Sequence, residues 1–131
     1  MAAPRVALNH VILYVRRVGP SLRFYRDLLG FRVIEEMDGY ARLRSAGTGA
    51  TIALHVSPAP RAPRRSRQVT LYFETHALAA VCRRLARRGV RFDQPPKRMP
   101  WGWDHAYLRD PDGYRISLYW AGPKRFRPTP R

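Results

Sequence analysis

The sequence predicts an α+β fold made of two copies of a β-α-β-β-β unit. Runs rich in β-branched residues alternate with two stretches of helical periodicity, and turn signals rich in Gly, Asp and Pro separate them. The order of elements in the first half of the chain returns in the second half, which indicates an internal repeat. A chain of 131 residues can bury one sizeable core, so we expect a single domain over residues 1–131.

The first unit is expected over about residues 6–57. It opens with a strand in "LNHVILYV", followed by a helix in "GPSLRFYRDLLGF", where Pro20 suits the helix start and Gly30 suits its stop. Strands are then predicted in "FRVIEEM", "YARLRS" and "ATIALHV", and the turn signals "DG" and "GTG" separate them.

The second unit is expected over about residues 68–121, with the same order of elements. The run "QVTLYFE" is typical of a strand, and "HALAAVCRRLARRG" is typical of an amphipathic helix that carries Cys82 on its apolar stripe as a buried thiol. Three strands in "VRF", "WDHAYLRD" and "YRISLYW" complete the unit, and "DPDG" between the last two is a strong turn signal. We expect residues 58–67, rich in Pro and Arg, to form an exposed connector, and residues 122–131 to form a loosely held tail.

The chain is strongly basic, with a formal net charge of +16. Such a charge is typical of proteins that bind nucleic acids, membrane surfaces or acidic ligands. Here the basic residues are spread over predicted helices, loops and tail, and the densest run, "PRAPRRSR", lies in the connector. No helix-turn-helix, zinc-binding spacing or aromatic RNA-binding signature accompanies them, so we expect a solvated surface and no nucleic-acid partner.

Membrane insertion and secretion are not expected. No stretch is apolar for long enough to cross a bilayer, and the opening "MAAPRVALNH" has neither the apolar region nor the cleavage pattern of a secretory signal. The lone Cys82 cannot form an internal disulfide. The sequence therefore predicts a soluble, cytoplasmic protein with no membrane partner.

Alternation along the strands predicts which side chains share the sheet face turned away from the helix. In the first unit, His10 shares that face with Ile12 and Tyr14. Pairing of the two units, within one chain or between chains, would close this face into a ligand cleft. The other positions expected on this face, in either unit, are Tyr40, Arg42, Arg44, His55, Thr70, Tyr72, His105, Tyr107, Arg115, Ser117 and Tyr119.

Two tryptophans, Trp101 and Trp103, lie in the loop "MPWGWDH", where sheet packing does not require them. On an extended backbone, residues two apart face the same way, so both rings could press on one ligand. The strand tyrosines leave two interpretations open, because Tyr is also a good strand former. An aromatic groove with Arg, His and hydroxyl groups suits a flat polycyclic ligand. The candidate ligand-binding residues are His10, Tyr40, Arg42, His55, Tyr72, Trp101, Trp103, Tyr107, Ser117 and Tyr119.

A family resemblance covers about residues 6–121. The segments "NHVILYV", "FYRDLLGFRV", "LAAVCRRLARRGV" and "LRDPDGYRISLYW" resemble the vicinal oxygen chelate superfamily, which includes glyoxalases, extradiol dioxygenases, fosfomycin-inactivating enzymes and bleomycin-resistance proteins. The resemblance implies a glyoxalase/bleomycin-resistance-like fold and a homodimer whose grooves are shared between chains. These motifs specify the helix, its stop and the last hairpin, so they say little about chemistry.

Metal-dependent members of the superfamily bind their ion at four strand positions, which are commonly His or Glu. The resemblance places these positions at His10, Ala53, Thr70 and Ser117, and His55 lies two residues beyond Ala53 on the same face. Two imidazoles without a carboxylate make a poor site for Zn, Mn, Ni or Fe. We therefore expect no metal and no other cofactor.

The resemblance to the bleomycin-resistance members implies a protein that sequesters its ligand without catalysis, as in antibiotic self-resistance. A groove for a cationic drug should be acidic, so the ligand expected for this basic chain is a neutral or anionic aromatic natural product. No catalytic residue is expected. The alternative is a metal-dependent lyase, isomerase or dioxygenase, in which His10 and His55 bind a divalent metal.

Overall fold

The computed structural model describes residues 8–57 and 69–122. The chain divides into two compact units, with the boundary between residues 64 and 65. Each unit has one helical segment and one four-stranded sheet in the order β-α-β-β-β, which confirms the predicted fold class.

The predicted connector and most of the predicted tail, residues 58–67 and 123–131, lie outside the described residues. The single domain over residues 1–131 stays a prediction. Within residues 8–57 and 69–122, no helix is long and apolar enough to span a membrane.

The first unit pairs its first strand with its last. Its elements are β1 (His10–Val15), α1 (Val18–Leu22) continuing as a π-helical segment (Arg23–Leu28), β2 (Arg32–Met37), β3 (Tyr40–Arg44) and β4 (Thr51–Val56). The sheet order is β1-β4-β3-β2, with β1 parallel to β4 and the other neighbours antiparallel.

The predicted helix of the first unit widens after its first turns. The N–H of Leu29 donates to the carbonyl of Phe24 at 3.1 Å, which is the π-helical pattern of bonding five residues back. A π-helix has more residues per turn than an α-helix, so adjacent side chains point in more similar directions. The adjacent Phe24 and Tyr25 are accordingly both buried. Gly30, with φ of 80°, then ends the segment at the predicted residue.

The second unit repeats this arrangement. Its elements are β5 (Thr70–Glu74), α2 (Leu78–Arg87), β6 (Phe92–Arg98), β7 (Asp104–Arg109) and β8 (Arg115–Trp120). The sheet order is β5-β8-β7-β6, and β5 lies parallel to β8. Because β1 and β5 are both edge strands parallel to the last strand of their unit, they occupy equivalent positions, as the repeat predicts.

Strand β6 is longer than the sequence predicts. Only "VRF" is expected to be extended, whereas the strand begins at Phe92 and continues through Pro95 and Pro96 to Arg98. Proline is tolerated here because β6 is an edge strand and its pairing with β7 is irregular between Gln94 and Lys97, so the missing N–H groups fall outside the regular ladder.

One face of each sheet is buried with the helical segment of its own unit. Its core residues include Leu13, Val15, Leu43, Leu54, Ala106, Leu108, Ile116 and Leu118. Cys82 of α2 is buried, as predicted, and burial raises the pKa of its thiol to about 11. The thiol therefore stays protonated at neutral pH and behaves as a core group.

The "DPDG" turn between β7 and β8 is stabilised by a buried carboxylate. Asp110 Oδ1 accepts hydrogen bonds from the backbone N–H groups of Asp112 at 2.9 Å and Tyr114 at 2.8 Å. Gly113 supplies the positive φ of 91° that the turn requires. The turn thus fixes the register in which β7 meets β8.

Replacing Asp110 by Ala is expected to lower the free energy of unfolding by about 1–3 kcal/mol, because the N–H groups of Asp112 and Tyr114 lose their acceptor. The Asp110→Asn variant keeps an oxygen acceptor and should lose less. Urea unfolding of the three proteins measures both effects. Equal stability of Asp110→Ala and the unchanged protein would contradict this role of the carboxylate.

Candidate functional site

An aromatic cluster covers the sheet face of the second unit that is turned away from α2. Alternation along β5, β7 and β8 places these side chains together, and the hairpin between β6 and β7 adds both tryptophans. The aromatic cluster consists of Tyr72, Trp101, Trp103, His105, Tyr107 and Tyr119.

Several rings of the aromatic cluster lie nearly parallel. The planes of Trp103 and Tyr119 differ by 11°, with ring centroids 5.5 Å apart. The imidazole of His105 lies within 17° of the planes of Tyr107 and Tyr119. Tyr72, in contrast, meets His105 edge-on at 90°. The cluster therefore combines stacked and edge-to-face contacts, both of which are favourable arrangements.

The imidazole of His105 is hydrogen-bonded at both nitrogens. Trp101 Nε1–H lies 3.3 Å from His105 Nε2, and His105 Nδ1 lies 2.7 Å from the hydroxyl oxygen of Ser117. An indole N–H can only donate, so Nε2 is the acceptor and Nδ1 carries the proton that it donates to Ser117. Burial lowers the pKa of His105, and the nearby charge of Asp104 opposes this effect. The structure thus favours a neutral His105.

The two tryptophans do not lie on an extended backbone, yet both rings contact His105. The "PWGW" segment forms a tight turn, in which Gly102 N–H donates to the carbonyl of Met99 at 2.9 Å and Gly102 has φ of 91°. Because the chain reverses here, the two rings meet His105 at different angles. Trp101 meets the imidazole at 76°, whereas Trp103 lies within 10° of its plane.

The aromatic cluster has an exposed layer and a buried layer. Tyr72 is 55%, Trp101 56% and Trp103 37% exposed, whereas His105 is only 1% exposed. Tyr107 and Ser117 are also buried. The three exposed rings can therefore contact a ligand directly. The buried residues hold those rings in position.

The predicted histidines of the first unit lie on one sheet face but far apart. His10 is beside Thr51, and His55 lies four residues further along β4, between Tyr14 and Tyr40. At the rise of a strand this separation is about 13 Å, too far for both imidazoles to bind one ion directly. Nδ1 of His10 pairs with Asn9 Oδ1 at 2.8 Å, and Nδ1 of His55 pairs with the Val56 carbonyl at 2.7 Å. This separation weighs against the alternative in which His10 and His55 hold one metal, which stays a prediction.

Of the four residues at the metal positions implied by the resemblance, His10 is a usual metal ligand and the other three are not. Ala53 has no donor atom, and the Ser117 hydroxyl is buried and hydrogen-bonded to His105. Thr70 offers a second neutral hydroxyl in place of a carboxylate or imidazole. Over residues 8–57 and 69–122, the structure brings no three residues of the types His, Cys, Asp and Glu into a metal-binding arrangement.

The remaining candidates lie where alternation places them, and two further residues were missed. Tyr40 and Arg42 share the face of the first unit that carries His55. Alternation predicts the correct face for His105 but does not mark it as a site residue, because its bond to Trp101 depends on the hairpin. Asn9 precedes the first strand, and no signal in the sequence indicates its contacts with His10 and Arg42.

Known proteins similar to this chain share its family and fold. A family model described as "Glyoxalase/Bleomycin resistance protein/Dioxygenase superfamily" matches residues 7–118. A catechol-2,3-dioxygenase of Bacillus subtilis (strain 168) is 28% identical over 128 residues, which cover 89% of this chain and 42% of that protein. The chain thus spans less than half the length of this curated relative.

Two solved structures extend the comparison. A protein of unknown function from Agrobacterium tumefaciens str. C58 has a TM-score of 0.76 and 25% identity, over 89% of this chain and 95% of that chain. A glyoxalase/bleomycin resistance protein from Streptomyces sp. CB03234 has a TM-score of 0.66 and 28% identity, over 86% of this chain and 100% of that chain. Its two β-α-β-β-β units and the family model that matches residues 7–118 show that this chain belongs to the glyoxalase/bleomycin resistance protein/dioxygenase superfamily.

Proposed function

We propose that this protein binds a neutral or anionic aromatic small molecule and sequesters it without catalysis, as in antibiotic self-resistance. The observation that supports this most directly is the aromatic cluster, in which exposed rings lie over a buried imidazole. The homodimer implied by the family resemblance is part of the proposal and stays a prediction.

Stacking supplies the main attraction for such a ligand. Trp103 extends the set of nearly parallel rings outward from Tyr119, and part of its own surface is exposed. A flat ligand placed on Trp103 continues this stack and removes apolar surface from water. Trp101 and Tyr72, edge-on to the same imidazole, can flank the ligand. The arrangement suits a planar polycycle.

The charge near the aromatic cluster favours a neutral or anionic ligand. The guanidinium carbon of Arg115 lies 4.3 Å from the ring centroid of Tyr107. Arg109 on β7 is the cross-strand neighbour of Arg115. The whole chain carries a formal net charge of +16. A cationic drug would be repelled by this field, whereas an acidic phenol or a carboxylate would be attracted.

The polar groups of the aromatic cluster support binding more than catalysis. Both nitrogens of His105 are hydrogen-bonded, and Ser117 is buried beneath the rings. Asp104, adjacent to His105, points to the opposite sheet face and pairs with Arg98. Asp104 is therefore not aligned behind His105 in the order that a Ser-His-Asp relay needs.

A second candidate function is a metal-dependent enzyme acting on a catechol. It is favoured by the similarity to a protein named catechol-2,3-dioxygenase, at 28% identity. The separation of His10 and His55 and the neutral residues at Ala53, Thr70 and Ser117 weigh against it. Metal content and turnover distinguish the two candidates.

Removing the stacking surface is expected to weaken ligand binding. The Trp103→Ala variant should bind a planar anionic polycycle, for example anthraquinone-2-sulfonate, about tenfold more weakly, since stacking contributes about 0.5–1.5 kcal/mol beyond burial. Isothermal titration calorimetry measures the dissociation constant. The matched control is Trp120→Ala, which removes the same side chain from the opposite face of the same sheet. Equal losses in both variants would contradict binding at the aromatic cluster.

Metal removal is expected to leave the protein unchanged. Protein purified without added metal should contain far less than a stoichiometric amount of any transition metal, because Ala53, Thr70 and Ser117 are poor ligands. EDTA should alter neither the melting temperature nor the dissociation constant of the same probe. A stoichiometric ion whose removal abolishes turnover of catechol would instead establish the enzyme.

The free energy of unfolding is expected to fall as the pH is lowered from about 8 to about 5. Burial holds the pKa of His105 below its ordinary value of 6.5, so its stabilising contribution is complete above that pH and is lost as the pH falls through the folded-state value. Protonated Nε2 could no longer accept the Trp101 hydrogen bond. Urea unfolding should show a smaller pH dependence for His105→Gln, and identical slopes would contradict the assignment.

A further inference from the structure

Arg42 lies at the centre of the open sheet face of the first unit. On β3 it pairs with Ala53 of β4 and with Glu35 of β2. The residue is half-buried, and its Nε atom is fully buried. A guanidinium in this position stays charged at any physiological pH.

The hydrogen bonds of Arg42 are incomplete. One terminal N–H donates to Asn9 Oδ1 at 2.7 Å. The Nε–H has no acceptor, and Arg42 forms no ion pair with any residue in the part of the chain that the structure describes. A half-buried guanidinium is costly to leave without a counter-charge, so this position favours an anionic group supplied by a ligand at the accessible side of Arg42.

Asn9 holds Arg42 and His10 in fixed positions. Its Oδ1 accepts from Arg42 and also pairs with His10 Nδ1 at 2.8 Å. Its backbone carbonyl accepts from the Thr51 hydroxyl at 2.7 Å, which ties the segment before β1 to β4. The guanidinium is therefore oriented before any ligand arrives, and this lowers the entropic cost of binding.

The surroundings of Arg42 combine charges of both signs, with Glu35 directly across on β2, and an apolar and aromatic surface. Arg44, two residues along β3, pairs with Arg32 on β2. In the other direction, Tyr40, His55 and Tyr14 form the next row across the sheet, about 7 Å from the Arg42 row. Ile12 and Tyr14 are exposed. An aromatic ring on Ile12 and Tyr14 would bring an attached carboxylate to the guanidinium.

We infer that Arg42, oriented by Asn9, binds the carboxylate of an aryl carboxylate whose ring lies against Ile12 and Tyr14. A carboxylate offers acceptors for the terminal N–H groups of Arg42 that Asn9 leaves unpaired, and the resulting bonds are charge-assisted. This site uses residues of the first unit only. It therefore stands independently of the aromatic cluster in the second unit.

The test is an NMR titration of the ¹⁵N-labelled full chain with 2-naphthoate and, in parallel, with its neutral analogue 2-naphthamide. The signals to follow are the Arg42 Nε–H and the side-chain amide of Asn9. Naphthoate should shift both signals in a saturable way, whereas naphthamide should bind at least about tenfold more weakly, because a charge-assisted bond is replaced by a neutral one.

The variant Arg42→Gln should raise the dissociation constant of naphthoate by about ten- to a hundredfold. The matched control is Arg44→Gln, which removes the same charge from the same strand and face and should change it less than about fivefold. Arg42→Lys retains the charge without the planar fork and should bind with intermediate affinity, which keeps the test valid if Arg42→Gln does not fold.

Three results would overturn the inference. Equal losses in Arg42→Gln and Arg44→Gln would indicate nonspecific attraction to a basic surface. Equal affinities for naphthoate and naphthamide would exclude the carboxylate contact. Shifts confined to the indole N–H signals of Trp101 and Trp103 would place the probe in the aromatic cluster alone, which would support the proposed function while removing the Arg42 site.

Discussion

The parallel pairing of the first and last strand is the constraint on which each unit depends. It places β1 beside β4 and β5 beside β8, and antiparallel neighbours then complete each sheet. Because side chains alternate along every strand, this pairing leaves one face for the helical segment and gathers the other set of side chains on the opposite face. Both candidate sites are built on that second set, to which the hairpin between β6 and β7 adds Trp101 and Trp103 and the segment before β1 adds Asn9.

The two units use the same positions for different chemistry. Arg42 and Tyr107 occupy equivalent places, since each pairs with the central residue of the last strand, Ala53 in one unit and Ser117 in the other. In the first unit this position carries a cation with a buried, unpaired N–H. In the second unit it carries a ring that stacks on His105. The two units share one backbone fold, so their chemical differences come from the side chains at equivalent positions.

The histidines of both sites are held in place by hydrogen bonds to neighbouring side chains. His10 is fixed by Asn9, and His105 is held between Trp101 and Ser117. In each case a hydrogen bond to Nδ1 sets the orientation of the imidazole. For His105, burial favours the neutral form, and the neutral form is what the Trp101 N–H requires as its acceptor. The protonation state of His105 therefore affects the position of Trp101, which is part of the proposed binding surface.

The sequence by itself determined the two units, their strands and the face on which each candidate residue lies, because a two-residue period and strong turn signals are local properties of the chain. It could not determine the length of β6, since tolerance of Pro95 and Pro96 depends on that strand lying at an edge. The sequence by itself could not determine the contacts within the two candidate sites either. The bond from Trp101 to His105 depends on a reversal of the backbone at Gly102, and the bond from Arg42 to Asn9 joins residues 33 positions apart. Such contacts were decided by tertiary structure, because only folding brings distant donors and acceptors within hydrogen-bonding distance.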